Sequence, residues 1–223
     1  MIVAAAVCPH PPLLVPEIAP GTDVELGDLR AACLTVVRRL VASGAQRIVV
    51  IGPGELAGDL DERAGGTLAG YGADARAGGD DLVLPLGHTI GAWLLDAAGW
   101  TGPRTYTSGP PATSDDVALL VMADGSNGRS EKAPGFLDER AEPFDAAVAA
   151  ALAAGDADAL LALDPDLGAA LGSTGVPALR TLGEAVAAET AKGASVAARV
   201  LYDEAPLGVG YVVADWKLSG PTR

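Results

Sequence analysis

The first fourteen residues, MIVAAAVCPHPPLL, constrain the fold of this chain more than any other stretch. Residues 2–7 are an unbroken apolar run, which is typical of a strand buried on both faces in a parallel sheet covered by helices. The prolines at positions 9, 11 and 12 cannot donate to a strand ladder, so this strand must end near Cys8. His10 is therefore predicted to lie on a stiff turn beyond the carboxyl end of a central strand, where open α/β sheets bind ligands.

Two further apolar runs predict buried strands of the same kind. Arg47–Ile51 follows a predicted helix that starts at Thr22 or Asp23 and runs to about Ser43. These elements form a β-α-β unit, which is right-handed and parallel by strong precedent. Val117–Met122 is the third strongly apolar run.

The remaining pattern completes the predicted fold. Helices are predicted from Leu86 to near Gly99, from Pro143 as the first helical residue to Gly155, and over residues 176–192. Residues 59–81, rich in Gly, Ala and Asp, are expected to form a surface excursion. Strands at 194–202 and 208–214, joined by a short turn, are expected to be antiparallel. The sequence thus predicts an α/β fold in a single domain over residues 1–223. Its largely parallel central sheet forms a three-layer arrangement with flanking helices, and the C-terminal strands are antiparallel.

Composition excludes several classes of partner. The net charge of −14 leaves no basic face for nucleic acid or for an anionic membrane surface. No apolar run approaches the roughly 20 residues of a membrane span. The two cysteines form no CxxC motif, and the sequence starts directly with a strand pattern rather than a basic leader. These features predict a cytoplasmic protein that binds neither nucleic acid nor a membrane, which leaves a small-molecule ligand as a candidate partner.

Each of the three apolar strands ends in a turn that contains polar or proline residues. The turns lie at 8–12, 52–55 and 124–127. Because the carboxyl ends of neighbouring parallel strands share one edge, these turns are expected to meet at one mouth. Asp124, Ser126 and Asn127 are therefore candidate catalytic residues that would contact a substrate, although Asp124 also fits a residue that anchors its own turn.

Several of these segments resemble one known family. PHPPLLVP after the first strand, VVIGPGE at the second strand end, the DGS turn and the C-terminal run GASVAARVLYDEAPLGVGYVVADW are similar to class III extradiol ring-cleavage dioxygenases. This subunit-B-like superfamily also contains the Memo proteins. The resemblance covers nearly the whole chain in order, and it is most specific at the first motif and the C-terminal strands.

The resemblance implies a set of metal ligands. In that family two histidines and a carboxylate hold iron(II) and leave positions open for a catechol and dioxygen, and a further histidine acts as acid and base. The first metal histidine matches His10. The second falls at the turn that contains Glu55, the carboxylate falls loosely at Glu184, and the acid/base histidine is replaced by Asn127. His88 is the only other imidazole in the chain.

Two functions follow from this incomplete match. In the first, the metal and acid/base site is degenerate, the protein is not a competent ring-cleaving enzyme, and the cleft is retained for a small molecule or a partner. Asn127 favours this hypothesis, because an amide cannot exchange a proton near neutral pH. In the alternative, iron(II) or another divalent metal is held by His10, Glu55, His88 and Glu184 and acts on a catechol-like substrate.

Structural interpretations of the same residues stay open beside these hypotheses. His10 also fits a turn histidine packed between prolines, and His88 a helix cap or surface residue. Glu55 and Glu184 also fit solvated carboxylates. A homodimer is compatible with the resemblance, although the sequence has no clear interface stripe.

Overall fold

The computed structural model describes residues 1–18, 20–21, 23–111 and 115–220. Thr22, a candidate N-cap of the first helix, lies outside the described residues. The elements follow in the order β1 (Ile2–Cys8), α1 (Asp23–Val41), β2 (Arg47–Ile51), β3 (Ala64–Thr67), β4 (Arg76–Gly78), β5 (Asp81–Leu82), α2 (Leu86–Ala97), β6 (Arg104–Thr107), β7 (Val117–Met122), α3 (Ala141–Ala154), α4 (Ala157–Leu161), α5 (Pro165–Ala170), α6 (Val176–Thr190), β8 (Ser195–Glu204) and β9 (Tyr211–Ser219).

The main sheet has six strands in the order β6-β2-β7-β1-β9-β8. The strands β6, β2, β7 and β1 are parallel, whereas β9 runs antiparallel to both β1 and β8. Because β1 lies between β7 and β9, its residues Ala4–Val7 are paired on both sides. This arrangement confirms the predicted α/β fold with a largely parallel sheet and antiparallel C-terminal strands.

Helices cover the sheet on both faces. Successive residues of β1 alternate between two cores: Ala5 and Val7 pack with α3, α4 and α6, whereas Ala4, Ala6 and Cys8 pack with α1 and α2. Burial of one Val, Leu or Ile side chain contributes roughly 1.5–3 kcal/mol relative to exposure. A strand with an apolar side chain at every position is therefore stable only in a position covered from both sides.

The excursion after β2 is more ordered than its sequence suggests. It contains a small sheet, in the order β4-β3-β5, that packs on α2. A Cβ built on Gly66 would lie 1.9 Å from Oγ1 of Thr89, so the close approach of β3 to α2 requires a glycine there. The sequence gives only a weak signal for β3 and β4, because both are rich in Ala and Gly, which have low strand propensity.

Several boundaries differ from the predicted ones, among them the end of β9 and the start of α3. The strand predicted to end at Ala214 continues to Ser219, because Asp215 in its middle is paired with Arg39 at 2.8 Å and Arg199 at 3.2 Å. In the sequence, a charged residue such as Asp215 is typical of the end of a buried strand, because its ion-pair partners lie far away along the chain. The helix predicted to start at Pro143 begins two residues earlier, at Ala141. No helix in the described ranges is long and apolar enough to cross a membrane.

Candidate functional site

The proline turn places His10 at the carboxyl edge of the sheet, as the sequence predicts. The backbone N–H of Ala123 donates to the carbonyl of Cys8 at 2.9 Å, which brings the ends of β1 and β7 together. The backbone N–H of His10 then donates to Oδ1 of Asp124 at 2.7 Å. Asp124 thus ties the two turns to each other, and the His10 side chain is left only 6% exposed.

The imidazole of His10 has a carboxylate on one side and a hydroxyl on the other. Nδ1 lies 3.3 Å from Oδ1 of Asp124, within ion-pair distance. The two atoms do not meet at a hydrogen-bonding angle, and Nδ1 is otherwise without a partner among the described residues. Nε2 lies 3.5 Å from Oγ1 of Thr174. A neighbouring carboxylate favours the tautomer with the proton on Nδ1, so Nε2 is the nitrogen available as an acceptor.

Burial and the neighbouring imidazole act on Asp124 in opposite directions. Burial raises the pKa of Asp124, whereas the charge of His10 and its backbone N–H lower it. Burial and the nearby Asp124 carboxylate also raise the pKa of Tyr211, so that phenol stays protonated. This edge of the sheet therefore holds a carboxylate and an imidazole that are both largely buried and lie within ion-pair distance of each other.

Thr174 is a residue that the sequence did not single out. The preceding Ser173 donates its hydroxyl to the carbonyl of Asp124 at 2.8 Å. A Cβ built on the following Gly175 would lie 2.5 Å from Cα of Ala123, so the backbone passes directly against the end of β7. The run of small residues before α6 was the available signal, since such a segment can approach a strand end closely.

His88, in α2, is fully buried, and its ring packs against the turn that follows β2. A Cβ built on Gly52 would lie 3.4 Å from Nδ1 of His88, and Nε2 lies 2.9 Å from the carbonyl of Thr107. The ring meets that of Tyr106 edge-on, with centroids 6.4 Å apart. The alternative of a surface histidine is therefore wrong for His88, because its helix packs on the β2 turn. Burial lowers its pKa, the hydrogen bond to Thr107 opposes this change, and His10 adds to it.

Ser126 and Asn127 make contacts within the loop structure rather than with His10. The hydroxyl and the backbone N–H of Ser126 both donate to the carboxylate of Asp145, each at 2.7 Å. The side chain of Asn127 fills the space between Gly135 and Gly172, where added Cβ atoms would lie 2.0 and 2.2 Å from its amide. The substrate contacts proposed for these two residues stay predictions.

Asp145 of α3 is a second residue that the sequence did not reveal. It is 2% exposed and also accepts a hydrogen bond from Arg129 at 3.1 Å. Its carboxylate is therefore fully engaged in holding the turn that follows β7. The helical pattern gives no hint of this role, because Asp145 lies next to the inward-facing Phe144 and looks like an ordinary solvated position.

The remaining predicted ligands are not brought to His10. Glu55 and Glu184 are exposed, and Glu184 lies on the outer side of α6 beside Arg180. Among the described residues, no group of three His, Cys, Asp or Glu side chains is close enough together to hold a metal ion. The residues present thus do not fit the iron(II) site that the resemblance implies.

Two cavities of the protein lie away from this edge. One of about 630 Å³ lies between α1 and the β1-β9-β8 part of the sheet, and one of about 340 Å³ lies beside β6. Beside the buried His10, Thr174 is exposed to solvent.

Comparison of the sequence with protein-family models and with curated proteins gave no match.

Proposed function

We propose that this chain is a member of the class III extradiol dioxygenase subunit-B-like superfamily in which the ring-cleaving site is degenerate. The carboxyl edge instead binds a small polar molecule through His10 and Thr174. One observation carries the proposal: the neighbours of the His10 ring are a carboxylate and a hydroxyl, not the second and third ligands of a metal. The motifs at the first strand and at the C-terminal strands support the family.

The chemistry of this edge favours a ligand that both accepts and donates hydrogen bonds. The hydroxyl of Thr174 can do either, and His10 donates from both nitrogens when protonated. Small phenols meet both requirements, and small carboxylates, which are ionised at neutral pH, meet the accepting one.

The metal-dependent alternative is favoured by a different observation. Nδ1 of His10 and Nδ1 of His88 are both buried without a hydrogen-bond partner among the described residues. Unprotonated imidazole nitrogens are ligands for iron(II) and other divalent metals, so this alternative requires His10 to carry its proton on Nε2 instead of Nδ1. Ligation by Glu55 or Glu184 would in addition require these exposed side chains to reach the buried rings.

An anaerobic titration of iron(II) into the full chain separates the two candidates. The matched variant is His10→Gln, which removes the imidazole but keeps a polar side chain of similar length. We expect no stoichiometric binding that depends on His10, and no oxygen uptake when catechol is added in air. Iron bound one to one in the parent and lost in the variant, with oxygen consumption, would establish the dioxygenase instead.

Ligand binding is read independently from the two imidazole signals. The chain contains only two histidines, so each Cε1–H resonance is assigned with one substitution. We expect catechol or benzoate to shift the His10 signal and to leave the signal of the enclosed His88 in place. Saturation without movement of the His10 signal would refute binding at this edge.

A further inference from the structure

We propose that Asp124, His10 and Thr174 form a nucleophilic relay in which the threonine hydroxyl is acylated by small activated esters. This activity goes beyond ligand binding but rests on the proposed site being open to small molecules. The arrangement has the three parts that nucleophilic catalysis requires: a hydroxyl, a base next to it and a group that orients the base. It comes from three distant parts of the chain, since His10 is 114 residues from Asp124 and 164 from Thr174.

The carboxylate, the imidazole and the hydroxyl lie in the order that nucleophilic catalysis requires, with the imidazole between the other two. Asp124 faces Nδ1 at 3.3 Å, and Thr174 faces Nε2 at 3.5 Å, on opposite sides of the same ring. With the proton on Nδ1, the lone pair of Nε2 points toward the hydroxyl of Thr174. Both distances exceed an ideal hydrogen bond, and Oδ1 of Asp124 lies off the hydrogen-bonding direction of Nδ1. Catalytic contacts are often long or poorly aligned before a substrate binds.

The nucleophile and the base differ in their access to solvent, as this kind of catalysis requires. The nucleophile Thr174 is exposed, whereas the base His10 is 6% exposed. The neighbours of Thr174 are fixed on the end of β7 by the hydroxyl of Ser173 and by the close backbone contact of Gly175. An ester can thus reach the hydroxyl from solvent while the proton acceptor remains shielded from water.

The start of α6 directly follows the nucleophile. This 15-residue helix has no side-chain cap at Gly175, and its second residue is a proline without an N–H. Amides in the first turn of a helix have no acceptor within the helix, and they carry the positive end of its dipole. The amides next to Thr174 therefore favour the negative charge that develops on an acyl oxygen.

The proposed reaction balances without any redox partner. Oγ1 of Thr174 forms a bond to the carbonyl carbon of the ester, and its proton passes to Nε2 of His10. The bond between that carbon and the alkoxy oxygen breaks, and the leaving alcohol takes the proton from His10. Water then attacks the acyl carbon and gives one proton to Nε2 of His10. The bond between the acyl carbon and Oγ1 of Thr174 breaks, Oγ1 takes the proton back from His10, and the carboxylic acid is released.

The test uses the full chain and p-nitrophenyl acetate, with nitrophenol release and the intact mass recorded together. We expect one acetyl group per chain, located on Thr174 by peptide mapping. Thr174→Ala is expected to lower the rate by about 100-fold, in the range of general-base catalysis, while Thr174→Ser retains acylation. His10→Gln is expected to cause a similar loss, and Thr101→Ala, at another exposed threonine, none.

Two outcomes would overturn the relay. One is acetylation confined to lysines or the N-terminus, and the other is an unchanged rate in a folded Thr174→Ala variant. If the His10 signal still responds to benzoate in either case, only the relay fails and the binding site stands. If neither acylation nor a shift of the His10 signal occurs, the binding site fails as well.

Discussion

The ring of His88 lies against the backbone of Gly52, so that a Cβ on that glycine would be 3.4 Å from Nδ1. Its other nitrogen, Nε2, donates to the carbonyl of Thr107 at 2.9 Å in the tautomer that this carbonyl requires. A neutral imidazole is therefore built into the core at the ends of β2 and β6.

The buried His88 predicts loss of stability in mild acid. Its pKa is lowered from 6.5 in the folded state, so the unfolded chain binds more protons between the two values. The contribution is fully present above pH 6.5 and is lost as the pH falls toward the folded pKa, with a slope of at most about 1.4 kcal/mol per pH unit.

The measurement is urea denaturation of the parent and of His88→Gln over this pH range. The amide of glutamine can still donate to Thr107 but does not titrate. We expect a flatter pH dependence in the variant, whereas equal slopes would show that His88 is not the group responsible. The same denaturation series on His10→Gln shows whether the other histidine contributes to the pH dependence of stability.

The second prediction concerns the carboxylate of Asp145. Its removal in Asp145→Ala leaves the buried Ser126 N–H and hydroxyl without their acceptor and Arg129 without its main partner. Loss of one partner in a buried charged network costs roughly 3–5 kcal/mol. Glu142→Ala is the control, because its side chain is 78% exposed and lies 3.5 Å from the same arginine. Chemical denaturation that gives equal losses for both variants would contradict this assignment.

A third prediction tests how Thr174 is held. Gly175→Ala places a Cβ 2.5 Å from Cα of Ala123, so the backbone must shift at a cost of about 1–3 kcal/mol. Gly70→Ala is the matched control, since no atom lies within 4 Å of its added Cβ. We expect the first variant alone to be destabilised and to move the imidazole signal of His10. An unperturbed signal would mean that the backbone at Gly175 does not set the position of Thr174.

The fourth prediction concerns the two thiols. Cys8 and Cys33 are free and fully buried. Burial raises the pKa of Cys8 well above its usual value, and the neighbouring Cys33 raises it further. A thiol reagent such as dithionitrobenzoate is therefore expected to react with neither cysteine in the native protein and with both in denaturant. Rapid labelling of Cys8 in buffer would instead indicate that the proline turn opens readily.

Local sequence accounts for the frame of the site. The apolar runs at β1, β2 and β7 fix strands buried on both faces, and the prolines after Cys8 fix where β1 ends and where His10 lies. These signals are strong because an apolar run cannot be solvated and a proline cannot extend a ladder. They act on neighbouring residues and need no knowledge of the rest of the chain.

The partners of His10 follow from the tertiary structure alone. Asp124 and Thr174 reach the ring because parallel strands with helical connections return distant segments to one edge of the sheet. The same topology brings His88 within hydrogen-bond distance of the carbonyl of Thr107 and buries Asp145. Sequence alone thus determined that an imidazole stands at the end of β1. Whether metal ligands or a carboxylate and a hydroxyl surround it was decided by packing across more than a hundred residues, because side-chain contacts depend on the assembled sheet and not on spacing in the chain.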